Sequence, residues 1–178
     1  MTPSPGTLIL HIDDTAVRVD VVGGGTYALP IGPVSLISGP LGDDDPPSPA
    51  ELTNALGFVQ DHVDDLVIES PSVVSAPSVI AVGEHAMVMA RVEIGADIVP
   101  EGYELLRADA DEVFRTLVNE TTQDRVFNPG LDAAHAVSVV GTCCVILGIM
   151  RRLDLPKLHI APSSIAPSNI APADQEAN

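Results

Sequence analysis

The sequence has no tryptophan, and aromatic residues make up only 3 % of its 178 positions, so a core built on large rings is excluded. Hydrophobic residues still reach 46 %, which leaves the core to Val, Ile, Leu and Ala. A chain of this length buries roughly 70 % of its unfolded surface as one domain without staples. Basic residues are scarce: eight Lys and Arg stand against 25 Asp and Glu, a formal net charge of −17, and Lys157 is the one lysine. Nucleic-acid binding relies on clustered Lys and Arg, so a nucleic-acid partner is not expected. Anionic membrane surfaces are excluded on the same ground. Acidity of this kind keeps a chain soluble and monodisperse, and it repels a free anionic substrate unless a local site overrides the net field. Cysteine is limited to the neighbours Cys143 and Cys144. On a helix they point about 100° apart, which is no disulfide geometry, and no metal spacing accompanies them. They read as two small buried hydrophobes in a reducing, cytoplasmic compartment. The start, MTPSPGTLIL, lacks the basic and long apolar regions of a signal peptide. The most apolar stretch, Ala133–Met150, is interrupted by His135, Ser138, Gly141, Thr142 and Gly148, so a buried central helix is expected rather than a membrane span.

Three strands are expected at 7–12, 15–22 and 26–31. In the second, Ala16, Arg18 and Asp20 lie on one face and Val17, Val19 and Val21 on the other. Asp13-Asp14 reads as a two-residue connection and Gly23-Gly24-Gly25 as a looser one, giving an antiparallel meander that Pro30 and Pro33 end. A helical turn over 33–39 leads to the polar loop LGDDDPPSP. Ser48 then reads as an N-cap, Pro49 as the first helical residue and Glu51 as the capping-box partner. That helix runs to about Val67 with Leu52, Ala55, Leu56, Val59, Val63 and Leu66 on its apolar stripe. A buried strand is expected at 78–82, followed by a helix over Glu84–Arg91, irregular chain over 94–107 and a helix capped by Asp109 running to about Asn119. After the turn TTQDRV, a long apolar helix spans Asp132–Asp154, and Lys157–Ile160 forms a last strand. Residues 1–6 are an N-terminal extension. The end of the chain repeats IAPSS, IAPSN and IAPAD. Proline at every fifth position there prevents regular pairing, so 161–178 read as an extended or disordered tail, with a peptide ligand for a partner as the alternative. A meander followed by alternating helix and strand predicts an α/β layered domain.

Four strings in this order resemble the second half of the exopolyphosphatase/guanosine pentaphosphate phosphohydrolase (Ppx/GppA) family. They are Leu29-Pro30-Ile31-Gly32-Pro33-Val34-Ser35-Leu36; Val79-Ile80-Ala81-Val82-Gly83-Glu84-His85; Thr121-Thr122-Gln123-Asp124-Arg125 with Pro129-Gly130-Leu131; and Ala134 to Gly141. The resemblance covers about residues 7–160. It implies a ribonuclease-H-like (actin-like ATPase) half domain, in which a three-strand meander and parallel strands carry helices packed on the sheet. In that family a phosphate loop, Asp-x-Gly-Gly-Gly-Ser, joins the first two strands, where glycines let backbone N–H groups approach phosphate and the acid helps hold a metal. The corresponding stretch here is His11-Ile12-Asp13-Asp14-Thr15, so like charge and bulk replace the cradle. Gly23-Gly24-Gly25 falls in the wrong connection and reads as a flexible hairpin turn. The family's Gly-Gly-Thr loop keeps only Gly83, followed by Glu84 and His85. The Arg and Asp at the entry to its long helix are Ala134 and Ala136 here. The family's catalytic glutamate and other phosphate loop lie in its first half, which the resemblance does not include.

The candidate ligand-loop residues are therefore Asp13, Asp14, Thr15, Gly83, Glu84 and His85, and none is assigned a catalytic role. Asp13 and Asp14 could bind a divalent cation through oxygen, Mg2+ if any activity remains, or simply form a turn. Glu84 and His85 stand where a strand meets a helix, a common place for acid–base chemistry; alternatively Glu84 serves the helix N-terminus. His62, His135 and His159 are scattered, without zinc spacing. Ser138 lacks a nucleophile-elbow setting, and Asp43-Asp44-Asp45 reads as a solvated loop. The expected function is a non-catalytic, degenerate Ppx/GppA-like module for binding, regulation or oligomerisation, paired with a protein partner or with itself and needing no cofactor. The alternatives are a phosphohydrolase subunit completed by another chain, and a small-ligand or divalent-metal binder.

Overall fold

The computed structural model of the chain describes residues 3–162. It is a mixed α/β fold on one six-stranded sheet, ordered β3-β2-β1-β4-β6-β5. The meander forms as expected, from β1 (Leu8–Ile12), β2 (Val17–Val21) and β3 (Thr26–Leu29), with Leu10 opposite Val19 and Arg18 opposite Ala28. The first turn is displaced by one residue. The Asp13 amide donates to the Ala16 carbonyl at 3.0 Å, so Asp14-Thr15 is the tip rather than Asp13-Asp14. Strands β4 (Val79–Val82) and β6 (Lys157–Ala161) add in parallel to β1. Parallel neighbours require long crossovers, and here the helices supply them. β4 has no exposed residue, as a central strand with both faces covered should.

The short helix α1 (Pro33–Ile37) follows the meander, and α2 (Pro49–Glu69) crosses to β4. The capping box forms: Glu51 N donates to Ser48 Oγ at 3.3 Å, and Ser48 N donates to Glu51 Oε2 at 2.7 Å. These bonds hold the Glu51 carboxyl below its ordinary pKa. Ser48→Ala is expected to destabilise the domain by about 1 kcal/mol, to be measured by urea unfolding at neutral pH.

Helix α3 (Glu84–Ile94) leaves β4 directly and stops at Gly95, whose φ of +70° suits glycine. The region expected to be irregular contains β5 (Glu104–Leu106), an antiparallel edge strand on β6. With three residues it is too short to show a period. Helix α4 (Arg107–Leu117) starts from Leu106, so Asp109 is not its cap and lies instead in the first turn, where a carboxylate suits the helix dipole. The TTQDRV turn contains α5 (Thr122–Arg125).

The long helix is shorter than expected. Asp132 accepts from the Ala134 amide at 2.8 Å and caps a 3₁₀ turn (Ala133–His135), and only then does α6 (Val139–Arg152) begin. Every residue from Val139 to Met150 is buried, as a helix apolar on all sides must be. Helices α2, α3 and α4 pack around it, and together they cover the sheet face bearing Leu8, Leu10, Ile12 and Ala81. Among the described residues, no helix is long and apolar enough to cross a membrane. The tail expected at 161–178 lies outside the described residues from 163 onward, and Ala161 itself ends β6.

Candidate ligand site at the carboxyl ends of β1 and β4

Strands β1 and β4 are parallel neighbours, so the Asp13–Thr15 turn and the Gly83–His85 junction emerge at the same edge of the sheet. Open α/β sheets bind ligands at this edge. The two segments meet there: Asp14 Oδ1 lies 2.8 Å from His85 Nε2. On its other side His85 Nδ1 lies 3.0 Å from Thr142 Oγ1 of α6, and that oxygen is 3.2 Å from the Ser138 carbonyl. The Asp14 carboxylate accepts from His85 Nε2–H, while the Thr142 hydroxyl donates to the Ser138 carbonyl and turns its oxygen lone pairs towards His85 Nδ1. The His85 side chain is 6 % exposed while that of Asp14 is 74 % exposed. A buried histidine therefore reaches outward and holds a surface carboxylate over the strand ends.

The turn is also clamped from behind. The Val34 amide donates to Asp14 O at 2.8 Å and the Ser35 hydroxyl donates to Thr15 O at 3.0 Å. A Cβ on Gly32 would stand 2.4 Å from Asp14 O and Ala16 N, so only glycine lets these backbones approach. Gly83 has φ +108°, and a Cβ there would meet Ile12 O at 3.0 Å. Glycine thus stands where chain crosses chain, at Gly32 and Gly83, while the tip of the turn carries the side chains of Asp14 and Thr15.

Glu84 does not join His85. It pairs with Arg91, seven residues further along the same face of α3, and His135 Nε2 lies 3.5 Å from its carboxylate. The His85 and His135 rings meet edge to face at 5.9 Å. Asp13 is exposed and stands apart from this chain of contacts.

Asp14 is engaged by His85, and among the described residues no group of three or more His, Cys, Asp or Glu converges to hold a metal. Elsewhere, His11 pairs with Asp20 at 2.9 Å and His159 lies 3.5 Å from Glu104. The Asp43–Asp45 loop is more than a solvated one: the Asp45 carboxylate accepts from the Thr122 amide at 2.9 and 3.0 Å and lies 3.7 Å from buried Arg125. Burial lowers the Arg125 pKa, and Asp45 opposes that shift.

Sequence reasoning found Asp14, Gly83, Glu84 and His85 but missed Thr142, Ser138, His135 and Gly32 as their partners. Thr142 carried a signal, a hydroxyl in an otherwise apolar run. Its partner is 57 positions earlier, and only the fold joins them.

No protein-family model and no curated protein matches the sequence. Solved structures do match. An exopolyphosphatase-like protein superposes with a TM-score of 0.78 at 18 % identity, over 90 % of this chain and 56 % of that one. The Aquifex aeolicus PPX-GPPA enzyme gives 0.78 at 15 % identity, over 90 % and 54 %. An exopolyphosphatase from Cytophaga hutchinsonii gives 0.70 at 16 % identity, over the same shares. The chain thus spans about half the length of these proteins. What it shares with them is architecture: it has the actin-like, ribonuclease-H-like fold of the Ppx/GppA proteins, over a span consistent with their C-terminal half.

Proposed function

We propose that this chain is a non-catalytic module, a Ppx/GppA-like half domain that serves binding, regulation or pairing with a protein partner or a second copy. The observation that carries this reading is the Asp14–His85–Thr142 contact. In a phosphate-binding turn, backbone N–H groups and glycines must face the anion. Here the turn presents carboxylates, and one is fixed in place by a histidine anchored in the core. A phosphate approaching this edge meets negative charge in a molecule already at −17. The exposed apolar side chains Phe127, Ile98 and Val137, at 83, 82 and 56 % exposure, favour contact with a protein.

The test is phosphate release from polyphosphate and from guanosine pentaphosphate with Mg2+, run on the isolated chain and on the chain captured with its partners from its native host. No release above buffer is expected in either. Turnover by the isolated chain that disappears in Asp14→Ala would overturn the proposal. Turnover confined to the captured complex and lost in the same variant would favour a hydrolase completed by another chain. Sedimentation at increasing concentration tests self-pairing, and a monomer throughout counts against it.

A further inference from the structure

The helices cover one face of the sheet. On the other, Ile9, Ile80, Val82 and Ala161 form a separate apolar cluster with Val22 against it, and every member stands on a strand or just after one. None of those four is more than 8 % exposed. Beside Ile80 and Ala161 lies a groove of about 450 Å3, walled by Met87, Val99, Pro100 and Pro162. That volume falls in the roughly 300–1,000 Å3 range of ligand pockets, and like them it is mainly apolar.

Ile160-Ala161-Pro162 is the first of three Ile-Ala-Pro units; the others are 165–167 and 170–172. The first is built into the sheet. The Ile160 amide donates to Tyr103 O at 2.9 Å and Ala161 pairs with Val82. Pro162 has no N–H to continue the ladder, and it becomes a wall of the groove. The next unit begins three residues later, within about 10 Å of extended chain.

The geometry points to this groove as the docking site of the chain's own segment 163–178, with Ile165-Ala166-Pro167 as the inserted unit. Three things favour this occupant. The segment starts at the groove's wall. Its apolar units have the composition of the one that lines the groove. Proline-rich chain is partly ordered before it binds, so docking it in an apolar groove sacrifices little entropy. The module proposed above would then carry its own occupant in the groove, which any partner for the groove must displace. The inference does not depend on whether the strand-end site is catalytic.

The experiment uses the full chain and its Ile165→Asp/Ile170→Asp variant. The variant is expected to bind a hydrophobic dye more strongly and to exchange the amides of β6 and of 99–102 faster, with unchanged far-ultraviolet dichroism. A synthetic peptide of residues 163–178 should bind the variant. It should bind the unsubstituted chain at least roughly tenfold more weakly, because a tethered copy acts at about millimolar effective concentration. Val99→Asp in the groove should abolish peptide binding to the variant. Equal peptide binding to both chains would overturn the proposal in favour of an open groove. So would unchanged dye binding and exchange, or peptide binding that survives Val99→Asp. Concentration-dependent dimerisation lost in the tail variant would assign the groove to a second copy instead.

Discussion

Gly141→Val is expected to lower the melting temperature by roughly 10 °C, while Gly57→Ala raises it by about 2 °C. Both glycines lie inside helices, Gly57 in α2 and Gly141 in α6. Helix propensity alone predicts the same gain for each, about 0.8–1 kcal/mol on replacing glycine by alanine. Their surroundings separate them. A Cβ on Gly57 meets nothing within 4 Å, so the propensity gain is kept. A Cβ on Gly141 would stand 2.3 Å from Pro33 O and 2.9 Å from Pro33 C. Both are backbone atoms, so no rotamer change relieves the clash and α1 must move away from α6. That movement would disturb the Val34–Asp14 hydrogen bond and with it the first turn of the meander. Overpacking of this kind costs about 3 kcal/mol. Thermal unfolding followed by circular dichroism measures both changes. A stabilising Gly141 substitution would mean that α1 does not pack against α6 as described.

Cys143 and Cys144 are expected to react with a thiol-specific disulfide reagent roughly a thousandfold more slowly in the folded chain than in denaturant. Burial pushes the Cys144 thiol up to about 12. Burial pushes Cys143 up as well, and the neighbouring thiol adds to the shift. Since an ordinary thiol ionises near pH 8.5 and the thiolate is the reactive form, the reactive fraction falls by about three orders of magnitude. Cys143 is also closed in by Met89, whose sulfur is 3.6 Å away. The same shifts set a pH dependence. The unfolded chain releases its thiol protons from about pH 8.5, whereas folded Cys144 holds its proton to near 12. The thiols' contribution to stability is therefore complete below about pH 8.5 and is lost as pH rises towards 12. Melting temperatures between pH 7.5 and 10 should fall for the native sequence and fall less for Cys144→Ala. Rapid labelling of either thiol in native buffer would show that α6 is not buried.

Much of the fold could be read locally. The alternation of Val17, Val19 and Val21, the Ser48–Glu51 capping box and the apolar stretch around Cys143 each carry a period or a cap within a few residues. The displaced elements are those whose boundaries depend on distant chain. β5 has three residues and exists because β6 offers an edge. Asp109 has the chemistry of a cap, but the pairing of β5 fixes the start of α4 two residues before it. Asp132 does cap a turn, as its side chain allows. Continuous helix nevertheless waits until Val139, where α6 enters the packed interior.

The candidate site divides in the same way. The residue types at the first turn and at the β4–α3 junction, carboxylates and a histidine, were set by the sequence. That Asp14 and His85 bond to each other, 71 positions apart, was decided by the parallel pairing of β1 with β4. That Thr142 supports the histidine from below was decided by α6 lying against α3. Composition, periodicity and capping act over one or two turns of chain, and they determined the elements and the residue types of the first turn. Hydrogen bonds between residues far apart in sequence form only once the sheet and its helices have closed, and only then is the Asp14 carboxylate held by a histidine anchored in the core.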